Sequence, residues 1–203
     1  MKGKKVNIRF MTELALFVAI ILVMKITHLT SIPIGPLNMT LTMIPIAVGA
    51  MLMGPLAGGI LGMVYGFTSL YDAVSGGSAM TGFFFQISPV NTFILCVVLR
   101  TIVGVATGWL FRLIQKIDRT KTICYFVGGL AAPVLNTLLF MSYIVIVFYQ
   151  TEFVQNLVAS LGATNPVMFV VLVVGVQGLL EALAGLVIAG SVSKAVAHAI
   201  KRN

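Results

Sequence analysis

The chain has 203 residues, 59% hydrophobic and 9% charged, and its thirteen Lys and Arg against five Asp and Glu give a net charge of +8. A soluble domain carries about 25% charged residues, so a chain this poor in charge excludes an ordinary water-facing surface and points to lipid as its solvent. Only helices and closed barrels satisfy their backbone in lipid. The apolar runs here are about twenty residues long and lack the strict alternation of barrel strands. The predicted fold class is therefore all-α, a polytopic bundle of six transmembrane helices in a single domain over 1–203.

Taken in chain order, the first span covers Phe10 to His28, and a loop from Leu29 to Asn38 follows, broken by Pro33, Gly35 and Pro36. The second span covers Met39 to Met53 and reverses at Gly54-Pro55. The third runs from Leu56 to Leu70, and Tyr71 to Gln86 is a loop with a short aromatic element at Phe83 to Phe85. The fourth span runs from Ser88 to Ile114, and Gln115 to Lys121 is a charged loop. The fifth covers Thr122 to Phe148, and Tyr149 to Pro166 is a polar loop in which Asn165-Pro166 marks a helix start. The sixth covers Val167 to Val192 and leaves a basic tail. The basic start followed by an apolar run resembles a signal peptide, but no small-x-small cleavage site follows, so the first span is predicted to be retained.

Charge placement orients these spans. Lys2, Lys4, Lys5 and Arg9 precede the first run, Arg112, Lys116, Arg119 and Lys121 lie between the fourth and fifth, and Lys194, Lys201 and Arg202 end the sixth. Six spans put all of these on one side, and positive charge in short loops marks the cytoplasmic face. Both termini are therefore predicted to be cytoplasmic, in a multi-pass protein of the cell membrane. The basic excess is a topology signal, with some attraction to anionic lipid, and needs no nucleic acid to explain it.

An ionisable side chain in the bilayer interior costs about 2.5–3.5 kcal/mol on insertion scales, so each one must pair, face the bundle interior or touch a ligand. Two occur there, Arg100 and Glu181, together with Tyr65, Asn136 and Gln177. At 1.5 Å per residue, Arg100, Asn136, Gln177 and Glu181 all fall about 15–22 Å from a helix end, close to mid-depth. Gln177 and Glu181 share a helix face, as do Asn136 and Tyr143. Two readings stay open for the charges: they line a site for a small polar solute, or Arg100 and Glu181 neutralise each other as a register-fixing pair. Asn136 either meets a ligand or bonds a neighbouring helix. Asn91 lies nine residues from Arg100, on the opposite face of a regular helix, and reaches the same site only if Pro89 distorts that end.

Small residues four apart (Ala15 and Ala19, Gly104 and Gly108, Gly185 and Ala189) mark close helix contacts. Cys96 and Cys124 are read as packing residues, the many Met as filler, and Trp109 as an interface anchor. No phosphate loop, zinc motif or nucleophile–base pair occurs, so no enzyme activity, cofactor or metal is expected. The paired Asn-Pro-Ala half-helices of a water channel are likewise missing from the sequence.

The stretch TLTMIPIAVGAMLMGPLAGGILGMVYG, preceded by Ala15-x-x-x-Ala19 and followed by LRTIVGVATGWLF, resembles the substrate-binding S component of an energy-coupling factor (ECF) vitamin transporter. The segment from Ile44 to Gly58 is its most specific part, and the resemblance spans nearly the whole chain. It implies a high-affinity vitamin-binding subunit with no ATPase of its own. Such a subunit docks, through the surface matching Ala15 and Ala19, on a transmembrane coupling protein that works with two cytoplasmic ATPases. It also implies a ligand pocket among spans four to six and the outer loops, with the first loop as a lid. Arg100 suits a carboxylate, and Asn136, Gln177 and Tyr65 suit hydroxyl and amide groups, which makes pantothenate the first candidate. If Glu181 neutralises Arg100, pyridoxine or hydroxymethylpyrimidine fits as well. An independent carrier or channel is the alternative class.

Overall fold

In the computed structural model, which describes residues 8–27, 32–34, 37–39, 41–120 and 122–202, the chain is helical apart from one small hairpin. Helix α1 (Ile8–Ile26) is followed by antiparallel strands β1 (Ile32–Ile34) and β2 (Leu37–Met39), with Pro33 paired to Asn38. Next come α2 (Met43–Met53), α3 (Pro55–Ser75) and α4 (Ala79–Ile87). Two long helices, α5 (Pro89–Ile117) and α6 (Ile123–Phe148), lead to α7 (Glu152–Leu161), α8 (Pro166–Gly175) and α9 (Gln177–Ala199), whose turns continue to Arg202. Among the described residues α5, α6 and α9 are long and apolar enough to cross a bilayer, and the pair α7–α8, bent by 75°, would make a fourth span.

Several expected boundaries move, each for a physical reason. The stretch 71–86 is not a loop: α3 continues to Ser75 and α4 follows, because Met80 and Phe84 form an apolar stripe that buries itself. The stretch 149–166 likewise folds α7, anchored by the fully buried Val154. The sixth span is not continuous from Val167 to Val192. Gly175 adopts φ +31 and ψ −124, which ends α8 and lets α9 begin at Gln177; a side chain there would be strained. Depth counted along one straight helix from Val167 therefore does not apply to Gln177 and Glu181. Of the first loop, Leu29, Gly35 and Pro36 lie outside the described residues, as does His28; β2 lies against the Pro166–Ala184 stretch.

The expected reversal at Gly54-Pro55 is present. Gly54 sits at φ +97, its N–H bonds the Ala50 carbonyl (3.0 Å), and Pro55 opens α3. The reversal lays α3 along α5 in antiparallel contact so close that glycine is required. A Cβ on Gly58 would strike the Gly104 carbonyl, one on Gly62 the Arg100 carbonyl, and one on Gly66 would come within 2.7 Å of the Cys96 carbonyl. Gly108 repeats the pattern against Pro55. Four-residue spacing on both helices keeps these positions on one line, the small-xxx-small geometry that lets membrane helices approach backbone to backbone. Gly129 on α6 and Gly185 on α9 make a similar contact, beside Pro133.

At the basic end, Asp118 organises the α5–α6 loop. Its carboxylate accepts from the Thr120 N–H (2.9 Å) and hydroxyl (2.7 Å) and from the N–H groups of Thr122 (3.0 Å) and Cys124 (2.8 Å). These satisfy donors at the start of α6. The Thr120 hydroxyl first, and then the Cys124 N–H, hold the Asp118 carboxyl well below the usual carboxylate range.

Gly62→Leu should destabilise the fold by about 1–3 kcal/mol, the usual cost of overpacking a tight contact. Gly82→Ala, whose new Cβ would meet only Ala73 at an ordinary 3.4 Å, should change stability by less than about 0.5 kcal/mol. Thermal unfolding in detergent measures both; an unchanged midpoint for Gly62→Leu would mean that α3 and α5 have slack.

Candidate functional site

The glycine seam fixes where Arg100 can point. With the Arg100 backbone against Gly62, the next turn of α3 presents Tyr65, and the guanidinium carbon lies 4.4 Å from the Tyr65 ring centroid. The Phe140 ring of α6 lies 5.5 Å from that carbon. Arg100 is 7% exposed and Tyr65 7%. Arg100 Nη1 donates to the Cys96 carbonyl one turn back (3.4 Å), and its buried Nε has no hydrogen-bond partner among the described residues. Cation–π contact contributes about 2 kcal/mol when desolvated, whereas removing an ion from water costs several. The two rings therefore hold this charge without neutralising it.

No Arg100–Glu181 ion pair is found among the described residues. The ion pairs among the described residues are Arg9–Glu13 within α1 and Lys25–Asp72, which ties the far end of α1 to α3. Glu181 instead accepts a hydrogen bond from the Gln177 amide (3.2 Å), both side chains being buried at the start of α9. Their four-residue spacing does put them on one face, and no described contact joins that pair to Arg100.

The distortion that Asn91 needs is present, but in a π-helical turn rather than at Pro89, which only opens α5. Residues Ile94–Val98 form a π-helical turn between Asn91 and Arg100, closed by the Leu99 N–H on the Ile94 carbonyl. One extra residue in a turn rotates what precedes it by roughly 100°, so Asn91 leaves the face opposite Arg100. Its amide oxygen accepts from the Tyr143 hydroxyl (3.1 Å). On α6, Asn136, Phe140 and Tyr143 recur at helical spacing on one face. Phe140 touches Arg100 and Tyr143 touches Asn91, so that face is directed at α5. Asn136 is half-buried on the same face, just past Pro133.

Sequence reasoning missed Phe140, although its four-residue spacing from Asn136 was a usable signal, and missed the glycines of α3 that position Tyr65. Cys96 offers its carbonyl to Arg100 and its sulfur to the buried Ser69 hydroxyl (3.8 Å). Ala15 and Ala19 are both exposed on α1, on a face that also exposes Met11, Leu16 and Val23. Among the described residues no group of three or more His, Cys, Asp or Glu could hold a metal ion.

An apolar helical chain with long membrane-crossing helices and a cation held in its interior by aromatic rings has the build of a multi-pass membrane protein. Residues 9–192 match the family model of the ECF transporter, substrate-specific component, and the chain belongs to that family. It is thus a transport protein, a substrate-binding subunit that takes a small molecule and works with an ECF module. No curated protein matches the chain.

Tyr143→Phe should cost about 0.5–1.5 kcal/mol, the net worth of one hydrogen bond. Combined with Asn91→Ala it should add little more, since the two changes break one interaction. Fully additive losses in a detergent melting series would contradict that contact.

Proposed function

We propose that this chain captures an anionic vitamin from outside the cell membrane, with pantothenate the best fit, for an ATP-driven importer. Energy comes from a transmembrane coupling protein and two cytoplasmic ATPases, since the chain has no phosphate loop of its own. In this reading α1, α2, α3, α5, α6 and the α8–α9 segment are the six spans, and both termini lie in the cytoplasm. The distribution of basic residues supports that orientation.

The observation that carries the substrate assignment is the Arg100 guanidinium, buried against Tyr65 and Phe140 with its Nε unpartnered among the described residues. A carboxylate arriving there gains a charge-assisted, fork-shaped partner and relieves the cost of an uncompensated charge. Asn136, Asn91 and the Gln177–Glu181 pair are proposed to meet the hydroxyl and amide groups of the same ligand. Neutral vitamins use the amides and the rings but gain nothing from the guanidinium. Ala15 and Ala19 are proposed to face the coupling protein, because alanine lets a partner helix approach closely and both are exposed on α1.

Arg100→Gln should weaken pantothenate binding by about 10- to 100-fold, the loss of a charged hydrogen bond. Binding of pantothenol, which carries an alcohol in place of the carboxylate, should change by less than about threefold. Calorimetry on the purified protein reads both. Equal losses would make Arg100 a scaffold residue and reopen the neutral vitamins.

Ala15→Trp and Ala19→Trp should leave vitamin binding intact and abolish ATP-driven uptake in cells carrying the full transporter. Normal uptake by both variants removes the docking assignment. Robust flux through the purified chain alone in liposomes would instead favour an independent carrier.

A further inference from the structure

The basic end of the bundle carries a groove that the substrate reading does not use. It has a volume of about 770 Å³ and lies between the start of α6 and the end of α9. Ser191, Lys194 and His198 line it from α9, Thr122 from the loop, and Tyr125 and Phe126 form an apolar wall. The α9 residues are three and four positions apart, so they make one polar stripe on one face of the helix. No carboxylate lines the groove. Asp118, the acid nearest in sequence, is occupied by Thr120, Thr122 and Cys124.

Its surroundings are as informative as its walls. Val192 and Val196 alternate with the polar stripe along α9 and are exposed, as are Val187 and Ile188 a turn or two earlier. A large exposed apolar surface on a membrane helix faces lipid. Lys116 and Arg119 are exposed at the end of α5 and in the loop beside Thr120. The groove thus combines an apolar wall, next to lipid-facing valines, with a mouth where Lys194, Lys116 and Arg119 outnumber the one carboxylate, Asp118, which Thr120, Thr122 and Cys124 already hold. A free phosphate would leave Tyr125 and Phe126 unused, and a neutral lipid would leave Lys194 without a counter-charge.

We propose that this groove binds an anionic phospholipid. Its phosphate sits at Lys194 and His198, the Ser191 hydroxyl donates to its oxygens, and the upper part of an acyl chain lies along Tyr125 and Phe126. Basic pockets between membrane helices recognise anionic headgroups in this way. The site is independent of the vitamin assignment, since none of its residues belongs to that site.

The test is native mass spectrometry of the full chain, stripped of lipid in a neutral detergent and offered equal amounts of phosphatidylglycerol and phosphatidylcholine. Phosphatidylglycerol should be retained at least about fivefold better. The double variant Lys194→Glu, His198→Ala should lose that preference, while Arg9→Gln, a change of the same sign on α1, should keep it. Equal retention of the two lipids, or an undiminished preference in the double variant, overturns the proposal. Displacement of the bound lipid by equimolar glycerol phosphate would assign the site to free phosphate and overturn it too. Capture of a coupling-protein helix in place of lipid, read as lipid loss on adding that protein in detergent, would make the groove a protein interface instead.

Discussion

A guanidinium removed from water must find either a counter-charge or a substitute for its hydration, and at Arg100 the described residues supply the substitute. Two aromatic faces and one backbone carbonyl surround it. That arrangement depends on backbone geometry several residues away. The close contact of α3 and α5 through Gly58, Gly62 and Gly104 sets the Tyr65 ring against the charge, and the face of α6 that carries Phe140 adds a second ring. The proposed selectivity for an anion is therefore a property of helix packing as much as of one side chain.

The same helices show how polar chemistry is accommodated in an apolar bundle. Each of α5, α6 and α9 contains a five-residue π-helical segment, at Ile94–Val98, Ile144–Phe148 and Gly185–Ala189. Such turns weaken the regular backbone ladder and are frequent at functional sites. In lipid, the carbonyls they disturb need other donors. In α5 those donors are side chains: Arg100 bonds the Cys96 carbonyl, and Thr101 bonds the Val97 carbonyl at 2.8 Å. One irregular turn thereby rotates Asn91 and offers carbonyls to Arg100 and Thr101.

How much of this was legible in the sequence follows from which signals are local. Composition and run length gave the helical class, Gly54-Pro55 gave the reversal, and the cost of buried charge singled out Arg100 and Glu181. Helix α4 and helix α7 escaped because their apolar stripes are short and interrupted by polar residues. The break at Gly175 escaped because a single glycine in an apolar run has many ordinary uses, and only the fold reveals that this one takes a positive φ. The choice between an Arg100–Glu181 pair and separate roles rested on distances between helices, which no spacing in one chain encodes. The aromatic partners of Arg100 were half visible: Tyr65 was singled out as polar rather than as a ring, and Phe140 was passed over as one apolar residue among many.

The central claim is that the buried cation on α5 is completed by an acid group of the transported molecule. An experimental structure of the purified protein with its substrate bound tests it most directly, because it locates the ligand relative to the Arg100 guanidinium. The account predicts a carboxylate within hydrogen-bonding distance of Nε, beside the Tyr65 and Phe140 rings. A ligand seated elsewhere, or an uncharged group or water in that position, would contradict it.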